Sequence, residues 1–168
     1  MDKKFIAIII VLTIGIIGMA IFISSSSPSA TKATISKTEG AKIYVDHEFR
    51  KVGDIGYSKG ILFHSFPVKN EGNKDLEIAN MTTSCMCTEV FLKKDGQEGP
   101  KFGMKGMTAP SSWKGVLKPG QSAEIIAAFD PAYHGPQGIG EVSRIVSFET
   151  NDPDLPYIEL SFEGTVLK

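Results

Sequence analysis

The sequence predicts an all-β sandwich of seven to eight strands preceded by one amino-terminal transmembrane helix, and three observations carry that expectation. From Lys42 onward no window keeps apolar residues at i, i+3, i+4 and i+7, whereas short β-rich runs recur. Residues that supply or tolerate turns divide those runs: Asn70-Glu-Gly-Asn73, Pro119-Gly120 and Asn151-Asp-Pro-Asp154. Ahead of them, Phe5 to Ile23 holds no charged residue and a single polar side chain, Thr13.

As a helix, the stretch from Phe5 to Ile23 would extend about 28 Å at ~1.5 Å per residue, close to the thickness of a bilayer's hydrocarbon core. Lys3 and Lys4 also fit the positive region of a cleavable signal. The run, however, exceeds the roughly 7 to 15 residues of a signal's apolar region, and Ser24 to Ser27 make a mediocre cleavage site. Residues 1–23 therefore read as a membrane anchor, with a signal as the competing reading. Either one exports the remainder of the chain, because the lysines hold the amino terminus in the cytoplasm. No cysteine succeeds the run closely, so lipid attachment of the lipoprotein kind is not available.

Residues 24–38 are rich in Ser, Thr, Ala and Lys and read as a flexible tether. Residues 39–168 are then one domain, large enough for a single core. Its expected strands are Ile43 to Asp46, Ile61 to Lys69, Leu76 to Thr83, Thr88 to Leu92, Trp113 to Leu117, Ser122 to Phe129, Val142 to Thr150 and Tyr157 to Val166. Leu62, Phe66 and Val68 alternate with more polar positions, as expected for a sheet with one face on a shared core. That number and spacing of strands suggests an immunoglobulin-like sandwich. Two connections exceed what a minimal sandwich needs: Lys93 to Ser112, and Pro131 to Gly140, both dense in Gly or Pro.

Net charge is -1 over the whole chain; without Asp2, Lys3 and Lys4, 16 basic and 18 acidic residues remain, in no block or stripe. Nucleic acid is an unsuitable partner, since phosphate contacts need clustered Lys and Arg. The sequence also lacks a Gly-x-Ser-x-Gly elbow, a phosphate-cradling loop and a metalloprotease helix. Thiol redox chemistry is the enzymatic role least excluded.

Cys85 and Cys87 are the only cysteines, in Thr82-Thr-Ser-Cys-Met-Cys-Thr88. Beyond Met1 and Met19, every methionine falls in the same window: Met81, Met86, Met104 and Met107. Soft thiolate and thioether ligands select Cu(I), whereas zinc has no use for methionine. The set Cys85, Cys87, Met104 and Met107, with Met86 or His134 contributing, is therefore a candidate Cu(I) site, with Gly103 and Gly106 letting the loop fold tightly enough to aim two thioethers. Trp113 is a candidate cover for a bound monovalent cation, or else the core tryptophan of the sandwich. Blander readings stand beside this one. Loop methionines fill irregular gaps, exported cysteine pairs form disulfides, and free thiols at a turn can be purely structural. An i, i+2 bridge closes a very small ring, which makes a labile redox bond as apt as a permanent one. His134 alone is a weak signal, His64 reads as a half-buried structural residue, and His47 has no assigned role.

Several pieces occur in order along the domain: Phe66-Pro-Val-Lys-Asn70-Glu-Gly72, Leu76-Glu-Ile78, Thr83-Ser-Cys-Met-Cys-Thr88, Leu117-Lys-Pro-Gly120, Phe129-Asp130, Thr150-Asn-Asp-Pro153 and Phe162-Glu-Gly164. As an ordered set they resemble one bacterial family, domain of unknown function 1573. The resemblance spans roughly residues 45 to 166. It implies an immunoglobulin-like domain related to the ASH and major-sperm-protein type, exported or membrane-tethered, without an activity established for the family. The usual family pattern has Gly between the cysteines, where this chain has Met86. A subset with Met there, which this chain resembles, has Gly-Met-x-Gly-His in the long loop and a later His-Gly-Pro. This chain has Gly103-Met-Lys-Gly-Met107 and His134-Gly-Pro136, so Met107 stands in the subset's His position. The functional expectation is a membrane-tethered extracytoplasmic domain binding Cu(I) or another soft metal. The alternative is a non-enzymatic module for an envelope protein whose cysteine pair is a structural or labile disulfide.

Overall fold

The computed structural model of the protein describes residues 3–25 and 31–168. The chain divides into two compact units, Met1–Ala30 and Thr31–Lys168. The first contains helix α1 (Lys3–Ser25). Side chains in α1 are described for residues 4–6 and 8–20, so Phe5 is included and Ile23 lies outside. Among the described residues no helix is long and apolar enough to cross a membrane. The expected span therefore rests on the sequence.

The second unit is a two-sheet β-sandwich. Its strands are β1 (Ile43–Val45), β2 (Phe49–Gly56), β3 (Leu62–Asn70), β4 (Leu76–Thr83), β5 (Thr88–Lys94), β6 (Gln97–Glu98), β7 (Lys114–Leu117), β8 (Ser122–Phe129), β9 (Gly140–Thr150) and β10 (Tyr157–Leu167). One sheet has the order β1-β3-β8-β5-β6 and the other β2-β10-β9-β4-β7. Neighbours are antiparallel except β2, which lies parallel to β10.

All eight expected strands form, and the count rises to ten with β2 and β6. The sequence hid β2 because Phe-Arg-Lys-Val-Gly-Asp-Ile-Gly buries only Ile55, so no alternation marks it. An edge strand with one solvated flank has no need of an apolar face. β6 turns part of the long Lys93 to Ser112 connection into a hairpin, with Lys93 opposite Glu98.

The core comes from alternate residues on facing strands: Phe66 and Val68 on β3, Ile125 and Phe129 on β8, Phe148 on β9, Leu160 and Phe162 on β10. Burying each of the larger side chains stabilises the fold by about 1.5–3 kcal/mol. On β4 the inward phase changes midway. Leu76 and Ile78 face in, the register with β9 shifts between Ala79 and Thr82, and Met81 and Thr83 then face in. Asn80, at φ 53°, absorbs the extra residue. A bulge of one residue inverts every later side chain, and here it puts Met81 in the core, 2% exposed.

The end of the sandwich near Asn70 is tied by buried polar groups. Asn70 Nδ2 donates to the carbonyls of Lys74 and Leu117, and its Oδ1 accepts from Gly72 N. Asn151 Oδ1 accepts from Glu77 N, and Nδ2 donates to Asp75 O. Asp152 accepts from Ile43 N, Asp154 N and Leu155 N. Gly72 is fixed there by close approach, because a Cβ would meet the Gly40 carbonyl oxygen and Lys42 N.

Residues 31–38, in the stretch read as tether, lie against the domain. Ala33 is buried, its N–H donates to Ser111 O at 3.0 Å, and its carbonyl accepts from Asn80 Nδ2. Thr38 N donates to Asn151 O at 2.8 Å. Residues 26–30 of that stretch lie outside the described residues.

Candidate functional site

β4 and β5 are joined by residues 84–87, and the turn is held from both sides. Thr83 Oγ1, buried, donates to the carbonyls of Cys85 and Thr88, each at 2.9 Å. Ser84 exchanges two hydrogen bonds with Ile145 of β9: its N–H donates to the Ile145 carbonyl, and its Oγ accepts from Ile145 N. Cys87 O accepts from Asp130 N at 2.8 Å, which connects the turn to the end of β8. Short polar side chains at Thr83 and Ser84 are the local reason this tight connection is stable.

Within that frame Cys85 and Cys87 are joined as a disulfide. Asp130 starts the second Gly- and Pro-rich connection. Its Oδ1 accepts from Ala132 N, Gly135 turns at φ 65°, and Gly135–Gly138 form one turn of 3-10 helix. The result brings His134 Nε2 to 3.3 Å from Cys85 Sγ. Among the described residues, Cys85, Cys87 and His134 are the group of metal-ligating side chains whose donor atoms lie mutually within 4.8 Å. Tyr133 stands edge-on to the His134 ring, centroids 5.1 Å apart.

Arg144 of β9 is a member of the site that the sequence reading misses. Its Nε donates to Cys87 Sγ at 3.1 Å, and its guanidinium lies 5.0 Å over the Phe129 ring. Burial lowers its pKa from the ordinary arginine value, yet a guanidinium stays protonated in proteins. A signal did exist: Val142, Arg144, Val146 and Phe148 share the inward phase of one strand, and a lone charge in that series needs a partner.

The loop methionines differ in burial. Thr83 and Met104 form a parallel bridge, with Thr83 N donating to Gly103 O and Lys105 N to Thr83 O, so the loop backbone runs two residues from Cys85. Gly106, at φ 84°, turns the chain so that Met107 N donates to Met104 O. Met104 is half-buried, Met86 is exposed, and Met107 is 65% exposed. Trp113 packs on Phe102, centroids 5.7 Å apart, and lies against Gly99 and Gly115, where a Cβ would meet its ring. Those contacts give Trp113 a packing role.

An aromatic chain links this end to two histidines. Arg144 covers Phe129, Phe129 contacts Phe162, and Phe162 lies 5.9 Å from His64. His64 sits edge-on to Phe66 and 5.7 Å from His47. Neither Nε2 atom of this pair has a hydrogen-bond partner among the described residues, although both atoms are buried. Burial, then the neighbouring His47 and Arg50, lower the His64 pKa from its usual 6.5.

Comparison with known proteins supports the fold. The family described as "Protein of unknown function (DUF1573)" matches residues 43–101, which includes the cysteine turn. A protein of unknown function from Porphyromonas gingivalis W83 has a similar structure, with TM-score 0.55 and 16% identity. The match covers 84% of this chain and 51% of that one, so this chain spans about half its length. The human CEP192 ASH/PapD-like domain 7 aligns at TM-score 0.42 and 14% identity, over 84% of this chain and 96% of that domain. No curated protein matches the sequence.

Proposed function

We propose that this protein is a membrane-anchored, extracytoplasmic module that binds Cu(I), or a similarly soft metal, through Cys85, Cys87 and His134. The single observation that supports it most is the convergence of those three donors from two separate connections, within 4.8 Å of one another. Two thiolates and an imidazole suit Cu(I) by softness. The fit requires the dithiol, since a disulfide offers no thiolate. The exposed thioethers of Met86 and Met107, and Met104 beside Thr83, are the further donors that the sequence expects. Anchoring is supported by the uncharged run Phe5 to Ile23 and by Thr13, whose hydroxyl is satisfied inside α1 by the carbonyls of Ile9 and Ile10.

The test is a Cu(I) titration of the reduced protein against a competing chelator. Wild type binds; Cys85→Ser with Cys87→Ser does not; Met104→Leu with Met107→Leu binds more weakly. Unchanged binding in the cysteine variant removes the proposal.

The second reading, an interaction module for an envelope protein, draws on a cleft of about 400 Å³ bordered by Asn80, Phe102, Lys105, Ser111 and Tyr157. It predicts that a partner crosslinked at Lys105 is retained when both cysteines are replaced.

A further inference from the structure

The two cysteines of the site are not equivalent. Cys85 is half-buried, and its sulfur faces the exposed His134. Cys87 is 3% exposed, and its sulfur accepts a hydrogen bond from Arg144 Nε at 3.1 Å. Thr88 Oγ1 lies 3.7 Å from the same sulfur. In thiol–disulfide exchange, the rate depends on which sulfur an incoming thiolate can reach and on how well the departing sulfur carries negative charge. Here accessibility selects Cys85 for attack, and a fixed positive charge selects Cys87 for departure.

We infer that the Cys85–Cys87 disulfide is opened in one direction by an external dithiol reductant, attack falling on Cys85 and Cys87 leaving as a thiolate held by Arg144. The reductant's first thiolate bonds to Cys85 Sγ as the Cys85–Cys87 bond breaks, and the electron pair goes to Cys87 Sγ. The reductant's second thiol then attacks its own sulfur in the mixed disulfide and releases the Cys85 thiolate. The products are the reductant's disulfide and the Cys85, Cys87 dithiol, so two electrons have moved and no other reactant is needed. Arg144 touches the departing sulfur and its charge is fixed in place by stacking on Phe129, so the site needs little reorganisation as charge develops. This step rests on the metal-binding reading only in that it produces the dithiol that reading requires.

The experiment uses the full-length oxidised protein in detergent. It is exposed briefly to a monothiol, cysteamine, then quenched with acid, alkylated and mapped by peptide mass. The expected product carries cysteamine on Cys85 and the alkyl group on Cys87. A majority adduct on Cys87, or an equal mixture, overturns the assignment. Opening by dithiothreitol is then timed. Arg144→Gln is expected to slow it by about tenfold, the scale of one charge-assisted hydrogen bond, with Arg144→Lys recovering much of the rate. A purely packing role for Arg144 predicts the reverse, a loosened turn that opens faster or reacts at both sulfurs, and that result also overturns the proposal. Cu(I) titration of the same variants after full reduction separates the two claims: retained binding in Arg144→Gln with an unchanged opening rate removes this inference and leaves the metal reading intact.

Discussion

The two ends of the sandwich solve opposite problems with similar material. β4 joins them, running from Leu76 beside the Asn70 cluster to Thr83 before the cysteine turn, about 25 Å at ~3.3 Å per residue. At the first end, Asn70, Asn151 and Asp152 are almost completely buried, and each side chain is engaged with backbone groups of neighbouring segments. At the second, Met86 and Met107 stand in solvent, and the two sulfurs are flanked by His134 and Arg144. One end commits its polar groups to holding the fold together; the other gathers the groups to which the proposed chemistry is assigned. Motifs of similar prominence in the sequence thus have different causes.

This contrast predicts that stability and chemistry can be removed separately. The largest stability loss is expected for Asn70→Ala, about 3 kcal/mol, because Gly72 N and the carbonyls of Lys74 and Leu117 lose their partner together. Urea unfolding measures it, while Cu(I) affinity of the folded fraction stays as in wild type; a large affinity loss would erase the division between the ends. Gly72→Ala is expected to cost about 2 kcal/mol, since the new methyl group must displace the Gly40 and Lys42 backbone. Its thermal midpoint should fall with the cysteine turn's reactivity unaltered.

At the other end the ordering reverses. Opening the Cys85–Cys87 bond by reduction is expected to cost about 1.6 kcal/mol or less, because the bond links residues only 2 apart and closes a minimal loop. Thermal unfolding of the oxidised against the reduced wild type checks this, and a loss comparable with that of Asn70→Ala would make the bridge a structural staple. The smallest effect concerns His64. Its folded pKa lies below the usual 6.5, so the unfolded state binds the proton more readily. The contribution is complete above about pH 6.5 and is lost as pH falls toward the folded value. The thermal midpoint should decline across that range, and His64→Phe should flatten the decline; an identical slope in both proteins rejects the assignment.

Much of the sandwich was legible because alternation and turn chemistry are local. Ser122 to Phe129 and Leu76 to Thr83 match the observed strands end to end. β2 was not, because its pairing with β10 depends on a distant strand and its side chains carry no burial pattern. At the site, the cysteine pair and His134 were legible as residue types, and their juxtaposition needed the Asp130 to Gly138 turn. The methionine cluster was a mixed signal. Met81 shares the window by sequence alone, since the Asn80 bulge turns it into the core. Trp113, considered as a cation cover, packs against Phe102 and two glycines. Arg144 could have been found by asking why a charge occupies an inward strand position.

X-ray absorption at the copper edge, on the reduced, Cu(I)-loaded protein and on His134→Ala, probes the proposed site at the level of its donor atoms. The expected first shell is sulfur with one imidazole nitrogen, and that nitrogen's scattering disappears in the variant. A shell without sulfur, or one with a nitrogen that persists when His134 is gone, would rule out the Cys85, Cys87 and His134 site.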